Sequence, residues 1–403
     1  SGLGNNSLGR VQTPVLAAIS RRYRERENHI SSDSWPIYIS LQKDGILFKM
    51  RRTQNLPDKE SATMFFQDCK LAHQAQITGI SHSVKEILPP DLLDLTQLQK
   101  EANIRYGYTA SEVYDIAQSL YEKKLISYPR TSSRYLTEDV FDSLSPIMTR
   151  LLSWELFPVA KGTGGIDISS LSRHVISAEK ANVHHAIIIT GIRPGNMSEK
   201  EMQVYRLVAG RMLEVFMAPC RIETTNVEAV CAAQHFKAEQ TRIIEAGWHD
   251  VFMHSDMIPT SGYSVKELPE VEKGDTLNVC GCNMVHKKQL PVDPFTDAEL
   301  VEYMELNGLG TVSSRTNIIR TLVNRKYIRY SGKYIVPTPK GMFTYETIRG
   351  KKIADTSLTA DWEKQLTGLE SGMITGQDFL NRIRTLAKEM TDDIFNTYST
   401  KEE

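Results

Sequence analysis

The sequence predicts a mixed α and β, multidomain chain in which a β-rich domain is entered, left and entered again. Two observations carry this. Hydrophobic periodicity alternates along residues 34–90, turns helical through 91–190, alternates again over 220–285 and is helical from 295 onward. A chain of 403 residues also exceeds what one ordinary hydrophobic core accommodates.

Taken in order, residues 9–28 ("GRVQTPVLAAISRRYREREN") read as a helix with Pro14 in its first turn and Val15, Leu16 and Ile19 on one face. Arg21, Arg22, Arg24 and Arg26, interleaved with Glu25 and Glu27, read as its solvated face. "WPIYISLQKDGILFKMRR" alternates around Asp44-Gly45, a hairpin signal, and "AQITGISHSVKEILPP" is a further strand ending at Pro89-Pro90. Residues 91–190 are expected to be mostly helical, with a Gly-rich break at 161–165. Met202, Tyr205, Leu207, Val208 and Leu213 make one apolar helical face within 198–217. "ETTNVEAVCAAQHFKAEQTRII" and "DTLNVCGCNMV" return to strand patterns. The expected boundaries are 1–31, 32–90, 91–192, 193–285 and 286–403, with a helical unit extruded from the β-rich one.

With 40% hydrophobic and 24% charged residues and a net charge of −1, the composition is globular, and any nucleic-acid site must come from local segregation of charge. Apolar runs such as "HAIIITGI" are too short to span a bilayer. Five cysteines favour reduced thiols and a cytosolic setting, and Cys280-Gly-Cys282, lacking a second pair for zinc, reads as part of a strand. The opening "SGLGNNSLGRVQTP" has no methionine and reads as the middle of a loop, so an excised piece is expected.

One stretch asks for chemistry. In "KKLISYPRTSSRYL" (123–136), Tyr128 ends an apolar run, Pro129 forces the chain out of any ladder, and Arg130 follows. Taken alone, Tyr128 reads as an ordinary half-buried aromatic. An internal repeat changes its standing. "YTASEVYDIAQSLYEKKLISYPR" (108–130) aligns without a gap on "GTVSSRTNIIRTLVNRKYIRYSG" (310–332). Thr109, Ser111, Ile116, Leu120, Lys124, Ile126 and Tyr128 fall on Thr311, Ser313, Ile318, Leu322, Lys326, Ile328 and Tyr330. Each copy reads as a capped helix, a basic turn and a strand, the pattern of a winged helix-turn-helix. After Tyr330 a Ser-Gly turn returns the chain as a wing; after Tyr128, Pro-Arg-Thr breaks it.

The second copy carries Arg315, Arg320, Arg325, Lys326, Arg329, Lys333 and Lys340 with no acid between 311 and 345. Tyr327, Tyr330 and Tyr334 are interleaved, so the segment reads as a cationic surface with stacking groups, suited to phosphates and unpaired bases.

Five motifs now stand in order: "SLGRVQTPVL" (7–16), "LISYPRTSSRYL" (125–136), "VHHAIIITG" (183–191), "GLGTVSSRTNIIRTLVNRKYI" (308–328) and "LTADWEKQL" (358–366). In this the chain resembles the type IA DNA topoisomerases, most of all the bacterial topoisomerase III branch, from residue 7 to about 385. The resemblance implies a torus with a β-rich arch and helical winged-helix-like domains, and an N-terminal toprim metal domain that would precede residue 1. It implies that Tyr128 is the nucleophile, that Arg130 sits against the scissile phosphate, and that His184 belongs to the same site. Arg10 and Gln12 would border the single-strand groove, and Arg315, with the basic residues Arg320, Arg325 and Lys326, would line it. His185 stands where other branches carry an acid.

The resemblance also implies Mg²⁺ held by the missing domain and no metal site in this chain, which has no D-x-D cluster. It implies a DNA partner, mainly single-stranded regions, no membrane, a monomer, and a bacterial cytoplasmic, nucleoid-associated location. The chemistry is consistent. A phenol, with its ordinary pKa near ~10, needs a cation or a base beside it to attack at neutral pH. A guanidinium forks onto two phosphate oxygens. The chain departs from the family pattern at Ser132, where an aspartate is usual, and at Ile189, where a proline is usual. Two alternatives stand beside this reading. One is a single-stranded DNA-binding module whose tyrosines only stack. The other is a tyrosine recombinase, which would want its nucleophile near the C-terminus and a His-x-x-Arg element before it.

Overall fold

Strands from two distant stretches of sequence close a single barrel. The structure, a computed structural model, describes residues 8–54, 56, 58–154, 156–157, 166–168, 171–181, 184–252 and 263–399; the Gly-rich stretch at 161–165 and Val183 lie outside them. The chain begins with α1 (Gln12–Glu27) and a short strand β1 (Asp33–Ser34). The barrel follows with β2 (Ile37–Lys43), β3 (Ile46–Arg52), helix α2 (Lys59–Leu71) and β4 (Gln74–Ile87). After a helical excursion it is completed by β5 (Cys220–Cys231), β6 (Gln234–Glu245) and β7 (Thr276–Met284), in the order β2-β3-β6-β5-β4-β7. Strand β8 (Lys287–Lys288) pairs with β1 at the exit.

Alternation in the sequence drives this closure. Ile37, Ile39, Leu41, Phe48, Met50, Ile77, Val227, Ala229 and Phe236 point inward and are buried together. Asp44 and Gly45, at φ 51° and 81°, make the two-residue turn that matches strand twist. Helix α2 departs from the expectation of strands throughout 34–90. Asp58 caps it by accepting the Ser61 N–H at 2.7 Å, and Ala62 and Cys69 are buried.

The excursion forms a helical lobe: α3 (Leu95–Tyr106), α4 (Ala110–Glu122), α5 (Glu138–Asp142), α6 (Leu144–Ser153), α7 (Ala178–Ala181) and α8 (Glu199–Glu214). The described residues between 154 and 190 are mostly irregular, with isolated bridges at Ile176, Ile187 and Ile189, and are less helical than the sequence predicts. A second lobe holds α9 (Asp297–Leu306), α10 (Val312–Asn324), the hairpin β9 (Ile328–Ser331) and β10 (Tyr334–Pro337), α11 (Pro339–Ile348), α12 (Thr356–Glu370) and α13 (Gly376–Ser399). Helix α1 returns to this second lobe, burying Val15, Leu16 and Ile19 with Leu300, Met304, Leu322 and Tyr327. The solvated-face expectation for its arginines is corrected here. Arg22 lies over Phe295 at 4.1 Å and meets Glu299 at 3.3 Å, Arg26 meets Asp293 at 2.6 Å, and Arg24 meets Glu346. Their partners lie more than 260 residues away, beyond the reach of local pattern.

The repeat is a structural repeat. Helices α4 and α10 both begin in capping boxes, at Thr109 and Thr311. Both end with a lysine in the left-handed region, Lys124 at φ 59° and Lys326 at φ 60°. In both, the next N–H reaches back to a leucine carbonyl, Leu125 to Leu120 and Tyr327 to Leu322, each at 2.9 Å. The wings differ. In the second copy β10 pairs with β9 directly. In the first, the pairing strand comes from 187–190, far along the chain: Ile126 bridges Ile189, and the Thr190 N–H donates to Leu125 O at 3.1 Å as Thr338 does to Tyr327 O at 2.9 Å. Ile189 thus occupies the place of Pro337, and its N–H, which a proline lacks, donates to Met212 Sδ at 3.2 Å.

At Gly341 a Cβ would lie 2.0 Å from the Tyr327 carbonyl oxygen. Gly341→Ala is therefore expected to destabilise by at least ~2 kcal/mol, although alanine favours helices. Chemical denaturation of the two proteins measures this.

Candidate active site

The Tyr128 site is built where the first copy's wing is split. Ser127 is locked to the incoming strand by its N–H to Ile188 O (2.8 Å), its hydroxyl to Ala186 O (3.1 Å) and the Ile188 N–H to its Oγ (3.0 Å). Pro129 is buried and ends the ladder. The hydroxyl of Thr131 donates to the His184 carbonyl at 3.0 Å. Because the two ends of the long insertion flank one bridged pair, Tyr128 and His184 are neighbours. Their ring centroids are 4.4 Å apart at 44°, and Tyr121 meets Tyr128 edge-on at 5.4 Å. Tyr128 is half-buried and His184 exposed, so the pair opens to solvent.

Arg130 lies along α4. Its guanidinium carbon is 5.0 Å from the centre of the Tyr114 ring, Nη2 donates to Gln118 Oε1 at 3.2 Å, and Nε is buried with no hydrogen-bond partner. A buried guanidinium N–H left unbonded is costly unless something else accepts from it. The arrangement therefore offers a phenol, an imidazole and an unsatisfied cationic donor at the edge of one lobe. These are the parts needed to hold an anion and attack it. Ser132 is exposed, and His185 Nδ1 lies 2.7 Å from its neighbour's carbonyl.

Four of the residues expected to border a groove come together. Arg325 Nη1 donates to Gln12 Oε1 at 3.0 Å, Lys326 follows on the surface, and Arg10 lies 5.6 Å from the Trp362 ring. Arg10 and Gln12 line a cleft of about 470 Å³ with Gly310, Thr311 and Ser314 at the start of α10. Arg315 and Arg320 do not join them. Arg315 is buried, donates to Thr96 Oγ1 at 3.0 Å and faces Glu305 at 3.6 Å; Arg320 reaches Ser111 and Asp115 (2.8 Å) on α4. Both tie the second lobe to the first, in a polar seam with Gln99–Thr316 (2.8 Å) and Lys100–Glu302 (2.6 Å). The expected stacking tyrosines are also corrected: Tyr327 is 1% exposed, Tyr330 gives its hydroxyl to Asp297 at 3.1 Å, and Tyr334 gives its hydroxyl to Asp293. Tyr327 and Tyr330 pack into the lobe, and Tyr334 is half-buried beside Lys333.

The profile of the family described as DNA topoisomerase matches residues 2–381. The chain belongs to that family. A DNA topoisomerase 3 of Bacillus licheniformis is 30% identical over 413 residues, covering 96% of this chain and 56% of the relative. That of Bacillus subtilis is 29% identical, covering 98% and 57%. The chain thus spans about half the length of these curated relatives. A full-length topoisomerase I of Thermotoga maritima shares the fold, with a TM-score of 0.74 at 22% identity over 96% of this chain and 63% of the other.

The family's multidomain architecture of barrel and helical lobes is the one seen here. Sequence reasoning missed Tyr114, Gln118 and Tyr121, although their i, i+4, i+7 spacing placed them on one helical face. Among the described residues no group of three His, Cys, Asp or Glu side chains is placed to hold a metal ion, and no helix is long and apolar enough to cross a membrane.

Proposed function

We propose that this chain is the strand-cutting and rejoining part of a type IA DNA topoisomerase of the topoisomerase III kind. The observation that carries the reading is the juxtaposition of Tyr128 and exposed His184 at a split wing, with Arg130, two residues on, held against α4. The Tyr128 oxygen attacks a DNA phosphorus, the bond to the 3′ oxygen breaks, and that oxygen leaves as a hydroxyl while a 5′ phosphotyrosine forms. Arg130 donates to the non-bridging oxygens as charge builds on them. The exposed imidazole of His184 is a hydrogen-bond partner for the phosphate. Reversal by the freed hydroxyl reseals the strand, so the bond energy is conserved and no ATP is needed. Arg10, Gln12, Arg325 and Lys326 hold the single strand, and Arg315 and Arg320 act by holding the lobes together.

Among the described residues no group of His, Cys, Asp or Glu fits a Mg²⁺ site, and no step here runs through a metal. We assign metal binding to a toprim domain outside this chain. The protein is read as a monomer acting on single-stranded regions at the bacterial nucleoid.

The test joins the chain to the part of the Bacillus licheniformis relative that it does not cover, where we place the metal-binding domain, and asks whether a labelled single strand becomes attached through a bond that survives denaturant. Attachment is expected; a protein that binds the strand but never attaches would instead be a binding module. The chain alone is expected to bind single strands weakly and to leave supercoiled DNA unrelaxed with Mg²⁺. Arg325→Gln and Lys326→Gln should each weaken binding across sequences and reduce the slope of log affinity against log salt by about 0.7. Anisotropy titrations over a salt series read this directly.

A further inference from the structure

Helix α4 presents Tyr114, Gln118 and Tyr121 on one face, and that face lies under the site. Tyr121 meets the edge of Tyr128, Gln118 accepts from Arg130 Nη2 at 3.2 Å, and the Arg130 guanidinium lies 5.0 Å from the Tyr114 ring centre. Arg130 follows a proline in an irregular segment, so the backbone alone gives its long side chain little direction. Gln118 already takes one N–H of Nη2, and each further hydrogen bond to the chain would occupy a donor that a phosphate needs. A ring face fixes the plane of a guanidinium and leaves its edges open. The Nε–H, buried and unbonded, is one donor that the chain itself leaves unused.

We infer that Tyr114 is a positioning residue for Arg130: its ring fixes the plane of the guanidinium, so that N–H donors are kept for a phosphate oxygen rather than spent on the chain. This rests on the reading that Arg130 meets the scissile phosphate. Tyr114 itself touches no substrate. Its hydroxyl is not required, because the ring supplies the contact.

The test uses the chain joined to the metal-binding part of the relative and measures the rate of covalent attachment alongside affinity for the same strand. Tyr114→Phe keeps the ring and should attach at the parent rate. Tyr114→Leu fills a similar space without a π face and should attach about tenfold more slowly, with unchanged affinity and unchanged melting temperature. With Arg130→Gln already in place, Tyr114→Leu should have no further effect. In the chain alone, the Nε–H resonance of Arg130 should shift when Tyr114 becomes Leu but not when it becomes Phe. Equal rates for Leu and parent, equal losses for Leu and Phe, or a Leu effect that persists without Arg130 would each overturn the assignment while leaving the function reading intact. A parent protein that attaches to no strand would remove both.

Discussion

Tyr128→Phe is expected to abolish covalent attachment to DNA, by at least ~10⁴-fold, while leaving strand binding and folding as they were. The substitution removes one oxygen and nothing else. The ring remains against His184 and Tyr121, and no hydrogen bond within the chain anchors the hydroxyl among the described contacts. The ladder that positions the residue runs through Ser127, whose backbone and hydroxyl are untouched. A purely stacking role predicts the opposite, since phenylalanine stacks as well as tyrosine. Gel separation of attached from free strand, with affinity and melting temperature measured on the same samples, distinguishes the two.

The second large effect lies in the seam between the lobes. Asp297 is 2% exposed and accepts the Ala110 N–H and the Tyr330 hydroxyl, each at 3.1 Å. Burial pushes its carboxyl up to about 6, and Glu112 on α4 adds to the rise, while the two hydrogen bonds oppose it. A carboxyl raised in the folded state contributes full stability below its unfolded pKa, near ~4, and that stability is lost as pH rises through the folded value. The loss is on the order of 3 kcal/mol and is complete above about pH 7. Asp297→Asn keeps an acceptor oxygen and removes the titration. The variant should therefore be more stable than the parent at pH 7.5 by up to that amount, and equal to it near pH 4. Denaturation across this range measures it; parallel pH profiles for both proteins would mean that Asp297 does not titrate as its burial requires.

What the sequence made legible was whatever depends on near neighbours. Alternation placed the strands and the Asp44-Gly45 turn. The 202-residue offset marked two copies whose helix ends match even in the left-handed lysines at 124 and 326. What stayed hidden depends on chain segments meeting from afar. Helix α2 announces itself mainly through the Asp58 cap. The second wing strand for Tyr128 arrives from 187–190, so the proximity of His184 follows from topology rather than spacing. Arg315 and Arg320 look like groove cations in sequence, because neither Thr96 nor Ser111 and Asp115, which engage them, is near in the chain. The face of α4 was readable as a stripe, but only the fold says that Arg130 lies on it.

The most direct measurement is to digest a protein–DNA adduct, made with the chain joined to its metal-binding part, and find by mass spectrometry which side chain carries the nucleotide. Linkage of a 5′ phosphate to the oxygen of Tyr128 is the predicted outcome. Linkage through any other residue, or through a 3′ phosphate, would contradict the account.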